Sequence, residues 1–156
     1  MQEPGLSSTF KMDNTSKYTE SLMSNYEELL DIIFHLESSS GKNRKAYVPN
    51  AVGALGGYQI TQPAFKDIQK AHPDFWGKLN FKDVALDDTL ARKAASDILS
   101  INSQYLSKMG VAPSEDSLLG AYHSGAGNVA SNTMGPFGRR YVETGMNLLM
   151  EKRNAK

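Results

Sequence analysis

The 156-residue sequence contains no cysteine. Disulfides, thiolate zinc sites and a cysteine nucleophile are therefore excluded. No apolar run approaches the roughly 18 residues of a membrane span. The first twenty residues lack a basic start followed by an apolar stretch, so no secretory signal is expected. Net charge is lacking as well, since Lys+Arg and Asp+Glu both number 17. Without a positive excess nothing supports long-range steering toward nucleic acid or an anionic membrane, and no nucleic-acid partner is expected. Strand-like alternation of period two and internal repeats are both absent. No His/Asp/Glu cluster has metal-ligand spacing, so no metal or other cofactor is expected.

What remains is an ordinary globular balance, 40% hydrophobic and 22% charged, in a length that fits one domain with a real core. Residues 1–22 are polar and lack apolar periodicity; they read as an N-terminal arm. Residues 23–156 read as one all-α domain. Tyr26, Leu29, Leu30, Ile33 and Glu37 share one helix face, and the run Ser38-Ser39-Ser40-Gly41 ends that helix. Residues 41–57 form a long connection, with at most a minor hairpin within 41–60. Thr61 precedes a helix that stops near His72-Pro73. The stretch 74–86 is a mixed connection pinned to the core by Phe75, Trp76, Leu79 and Phe81. Asp87 or Asp88 caps the longest helix, whose apolar side runs from Leu90 through Ile98 to Tyr105 and Met109, and Gly110 closes it. Ser114 caps a helix carrying Leu118, Leu119 and Tyr122. Residues 125–127 break the chain before a short turn at 128–132, residues 134–138 form a loop, and a last helix runs from about Arg139 to Lys152.

Three segments carry candidate chemistry. Glu37 occupies a buried-face position four residues after Ile33. Loss of solvation there raises a carboxyl pKa, and a proton held near neutral pH is what a general acid requires. The bland alternative is a solvated glutamate in the last turn of a helix, where the dipole disfavours its charge. The segment Gly53-Ala54-Leu55-Gly56-Gly57-Tyr58-Gln59-Ile60 joins glycines that permit close approach to an amide, Gln59, that both donates and accepts. It also fits a glycine-rich turn. In Ala121-Tyr122-His123-Ser124-Gly125-Ala126-Gly127-Asn128-Val129 a phenol and polar tips gather at a helix end, which suits a saccharide or a simple cap. His35 and His72 are isolated and read as a helix-surface and a turn residue. Ser124 has no His/Asp set to make it a nucleophile. Lys42, Arg44 and Lys45 read as a solvated basic loop that could alternatively meet acidic peptide stems.

Taken in order, Glu37-Ser38, Gly56-Gly57-Tyr58-Gln59-Ile60, Ala121–Val129 and the late Tyr141 resemble the motifs of soluble lytic transglycosylases and goose-type lysozymes, glycoside hydrolase family 23. The resemblance spans about residues 37–145. It implies a lysozyme-like domain with a cleft for peptidoglycan glycan strands of alternating N-acetylglucosamine and N-acetylmuramic acid. It implies Glu37 as the catalytic acid and then base. Substrate contacts would come from Ser38, Gly57, Tyr58, Gln59, Tyr122, His123, Asn128 and Tyr141, with Tyr122 and Tyr141 holding the acetamide or orienting Glu37. Two positions depart from the family pattern: Tyr58 stands where Met is usual, and His123 where Asn is usual. No acidic residue lies between Glu37 and Asp67. A second carboxylate at ~5–5.5 Å or ~6.5–9.5 Å is what retaining and inverting hydrolysis need. The expectation is therefore a one-acid transglycosylase producing a 1,6-anhydro sugar. Hydrolysis with Asp67 or Asp83 as base, and a non-catalytic lysozyme-like component of a virion or secretion machine, are the alternatives. Delivery without a signal suggests a bacteriophage protein, virion-associated or released to the periplasm or cell wall, with residues 1–20 docking to virion or tail proteins.

Overall fold

The computed structural model of the protein describes residues 26–50 and 53–155. The expected arm at 1–22 lies outside these. Every described element is helical apart from a single antiparallel bridge, Leu55 to Ile60, which is the minor hairpin expected within 41–60. Helix α1 covers 26–38. A 3-10 turn, Arg44–Tyr47, follows. Then come α2 (Gln62–Ala71), α3 (Pro73–Trp76), α4 (Phe81–Leu86), α5 (Asp88–Lys108), α6 (Glu115–Ser124), α7 (Ala126–Ala130) and α8 (Pro136–Asn154).

Local chemistry sets most of these boundaries. The Thr61 side chain accepts from the Ala64 amide, and proline stands in the first turn of α2, where its missing N–H costs nothing. Asp87 accepts from the Thr89 and Leu90 amides at the start of α5. Ser114 and Ser117 form a reciprocal capping box for α6. The stretch 74–86 departs from the expected mixed connection. His72-Pro73 starts a one-turn helix, and the Asn80 side chain caps another by accepting from the Lys82 and Asp83 amides. Trp76 is fully buried there and its Nε1–H donates to Asp97 at 2.8 Å. Phe75 and Leu79, expected to pin this stretch inward, are exposed. Helix α7 begins directly after Gly125, ahead of the expected turn. Helix α8 begins at Pro136, inside the expected loop, because proline suits the first turn of a helix.

One buried cluster draws on α1, α2, α4, α5, α6 and α8, with Leu29, Ile33, Ile68, Leu99, Leu119 and Leu149 fully enclosed. Helix α5 packs against α2, α4, α6 and α7, and α8 packs chiefly on α6. The far end of α5 differs from expectation. Tyr105 and Met109 are exposed, and Leu106 takes the inward position instead. No helix among the described residues is long and apolar enough to cross a membrane.

Candidate active site

The stripe Tyr26, Leu29, Leu30 and Ile33 is buried in α1, and Glu37 continues it by one turn. Helix α8 is brought to this stripe by a glycine. A Cβ on Gly145 would stand 2.9 Å from Leu119 Cδ1 and 3.2 Å from Leu36 Cδ1, so the glycine lets α8 cross α6 and α1 without displacing those side chains. Tyr141 lies four residues earlier, on the same face of α8. Its hydroxyl donates to Glu37 Oε2 at 2.9 Å. Burial pushes the Glu37 carboxyl up to about 7, and the Tyr141 hydrogen bond pulls the other way. The direction is that expected for an acid removed from water.

Tyr122 of α6 flanks the same group. Its hydroxyl donates to the main-chain carbonyl of Tyr58 at 2.6 Å. Burial raises the Tyr122 pKa well above the usual phenol value, and the nearby Glu37 adds to the rise. Tyr141 is raised in the same way by burial and by Glu37. Two neutral phenols therefore border a carboxyl that holds its proton near neutrality.

The loop 53–60 is fastened rather than open. Gly56 has φ +86°, and a Cβ there would fall 1.8 Å from the Ala85 carbonyl oxygen. Gly57 is enclosed by the Phe34 ring, the Tyr47 hydroxyl and Asp88. The Tyr58 ring is buried and stacks on Phe34 with centroids 4.7 Å apart, and its hydroxyl accepts from Arg92 at 3.1 Å. Gln59 has φ +48°. Its Nε2 donates to the carbonyls of Ala46 (2.9 Å) and Gly56 (3.0 Å), and its Oε1 accepts from Asn50 at 3.1 Å. Both amide hydrogens of Gln59 are thus spent on holding the loop.

Other residues expected at the substrate are also engaged internally. Ser38 is buried, donates to the Phe34 carbonyl and accepts from the Gly41 amide, closing α1. Asn128 donates to the Ser124 carbonyl at 2.7 Å and accepts from Thr133 at 2.9 Å, bracing α7. His123 is exposed. Its ring lies 4.6 Å from that of Tyr141 and its Nδ1 is 3.0 Å from Ser124 Oγ. Partial burial holds the His123 pKa below the ordinary histidine value. Of the basic loop, Arg44 lies over the Tyr47 ring at 4.0 Å and donates to the Gly41 carbonyl.

A cavity of about 490 Å³ opens between α2, α5 and the α6–α7 junction, lined by Thr61, Asp67, Asn102, Tyr105, Tyr122 and His123 among others. Glu37 and Gln59 do not line it. The link from cavity to acid runs from His123 through Tyr141 to Glu37. Among the described residues, no group of three His, Asp or Glu side chains could hold a metal ion. The sequence reading missed Arg92, which meets Tyr58 on one side and Glu27 and Asp31 on the other. No local pattern marks it, because all three partners are far away in the chain. No protein-family model, curated protein or solved structure matches this chain.

Proposed function

We propose that the protein is a peptidoglycan lytic transglycosylase with a lysozyme-like fold, probing the glycan strand with Glu37 as its single acid–base group. The observation that carries this reading is the Glu37 carboxyl. It is raised to about 7 by burial, against the opposing pull of its hydrogen bond from Tyr141. A group with that pKa is half protonated at neutral pH and can give and take a proton with little driving force against it.

The steps balance on that one group. Protonated Glu37 donates to the glycosidic oxygen and the bond from that oxygen to the anomeric carbon breaks. The positive charge left on the sugar is shared by the oxygen of its own acetamide. Glu37, now a carboxylate, takes the proton of the 6-hydroxyl as that oxygen bonds to the anomeric carbon. The products are a 1,6-anhydro end and a free hydroxyl, Glu37 is again protonated, and no water is consumed. Tyr141 stabilises the intermediate carboxylate, since a hydrogen bond to the charged form favours it.

The test is digestion of purified peptidoglycan followed by mass spectrometry. Anhydro ends from the wild type, and a loss of about 10²-fold or more in Glu37→Gln, are the expected result. Reducing ends alone would refute anhydro formation, and unchanged biological activity of Glu37→Gln would favour a structural, non-catalytic component. One observation favours a second reading, hydrolysis with Asp67 as the base for water: Asp67 lines the cavity beside Tyr122 and His123. Cleavage in ¹⁸O-water separates the two, because only hydrolysis carries the label into the product. Delivery as a bacteriophage virion or tail component, docked through residues 1–20, is tested by co-purification of the protein with particles before and after removal of those residues.

A further inference from the structure

The hydrogen bonds behind Glu37 lead to one cation. Tyr122 does not give its hydroxyl hydrogen to Glu37, because the Tyr58 carbonyl takes it at 2.6 Å. The position of that carbonyl therefore sets the position of the phenol flanking the acid. Tyr58 in turn is held by its stack on Phe34 of α1 and by Arg92 of α5. The Arg92 guanidinium spreads over several acceptors at once. One nitrogen meets the Tyr58 hydroxyl at 3.1 Å and Asp31 at 3.0 Å. The other meets the Glu27 carboxylate at 2.9 Å and the Glu27 main-chain oxygen at 3.1 Å. Glu27 and Asp31 belong to α1, the helix that carries Glu37. One fork thus ties the acid's helix to the loop that fixes its phenol. A lysine ammonium has three donors on one atom and cannot span these sites.

We propose that Arg92 is a positioning residue for Glu37, acting through Tyr58 and Tyr122 to hold the phenol against the acid and keep the acid dry. The proposal rests on the reading of Glu37 as the working acid. Among the described residues, the ionisable groups facing Glu37 are Tyr141 from α8 and Tyr122 from α6. Those facing Arg92 are Tyr58, Glu27 and Asp31. When the fork is removed the loop 53–60 relaxes, water reaches Glu37, and the desolvation that raises its pKa is reduced.

The experiment compares Tyr58→Phe, Arg92→Met and Lys152→Met. Tyr58→Phe keeps the ring stack and the main-chain carbonyl, so the fold is retained while the bond to Arg92 is lost. Lys152 pairs with the other oxygen of Asp31 at 2.5 Å without contacting Tyr58, so its variant reports the loss of an ion pair alone. The Glu37 carboxyl is titrated by ¹³C NMR, and kcat and KM are measured on glycan. Tyr58→Phe and Arg92→Met are expected to lower the Glu37 midpoint by about half a pH unit or more. They should also lower kcat about ten-fold with KM within about two-fold, while Lys152→Met leaves both near the wild type. An unmoved Glu37 midpoint in Tyr58→Phe, or an equal shift in Lys152→Met, overturns the proposal. If the wild type cleaves no glycan, the function reading fails by itself, and the titration still decides the role of Arg92.

Discussion

Replacing Glu37 by Gln should make the protein more stable, and only above a certain pH. The folded carboxyl titrates at about 7 against an ordinary value of 4.5. Below pH 4.5 it is neutral in both folded and unfolded chains and contributes no difference. Between these values the unfolded chain releases its proton while the folded one retains it, so stability falls as pH rises. At about 1.4 kcal/mol per pH unit, the full loss is about 3 kcal/mol once the pH exceeds 7. Glutamine has nearly the same shape, still accepts from Tyr141, and carries no charge to desolvate. Urea denaturation of both proteins from pH 4 to 9 should give curves that agree within about 0.5 kcal/mol at pH 4. The variant should lead by about 3 kcal/mol at pH 8 and above. Every other ionisable group is common to both proteins and cancels in the difference. A difference that stays flat with pH, or a wild type that gains on the variant as pH rises, would show that Glu37 is not a buried acid. It would also remove the main support for the proposed chemistry.

Two further perturbations follow from the same geometry. Tyr141→Phe removes the donor that favours the Glu37 carboxylate, so the Glu37 midpoint should rise further above 7 and the pH optimum of cleavage should move upward with it; a downward shift in the NMR titration contradicts this. Gly56→Ala forces a methyl to 1.8 Å from the Ala85 carbonyl at φ +86°, and should destabilise by about 3 kcal/mol or more in a chemical melt, whereas an unchanged midpoint would mean the loop can shift away from α4 freely.

Helices were legible where the determinants are local. The Ile33–Glu37 spacing on α1, the Thr61, Asp87 and Ser114 caps and the close of α5 at Gly110 all depend on residues within a turn or two. The same local rules put Glu37 on the face of α1 that Leu29, Leu30 and Ile33 bury. They misjudged Tyr105 and Met109, because the far end of α5 projects past the core and the helical period continues where packing does not. They also missed the start of α8, where Pro136 opens a helix instead of ending a loop. At the site, residue type was legible but engagement was not. Gln59 and Asn128 carry amides suited to a sugar, yet the structure spends those amides on Ala46, Gly56, Ser124 and Thr133. Arg92 shows the limit most clearly. Its partners Tyr58 and Glu27 lie 34 and 65 residues away, and no window of sequence contains the contact.

The bond from Tyr141 to Glu37 joins residues 104 positions apart, one on the first described helix and the other on the last. The chain therefore carries its acid early and its acid's partner late. A chain that ends before α8 contains Glu37 but lacks Tyr141, the phenol that hydrogen-bonds it. The bond forms only with the long-range closure of α8 onto α1, among the slower kinds of contact to form. On the proposed reading of Glu37, a chain whose last helix has not docked would lack the arrangement that the chemistry needs, so the packing of α8 would set when the acid can act.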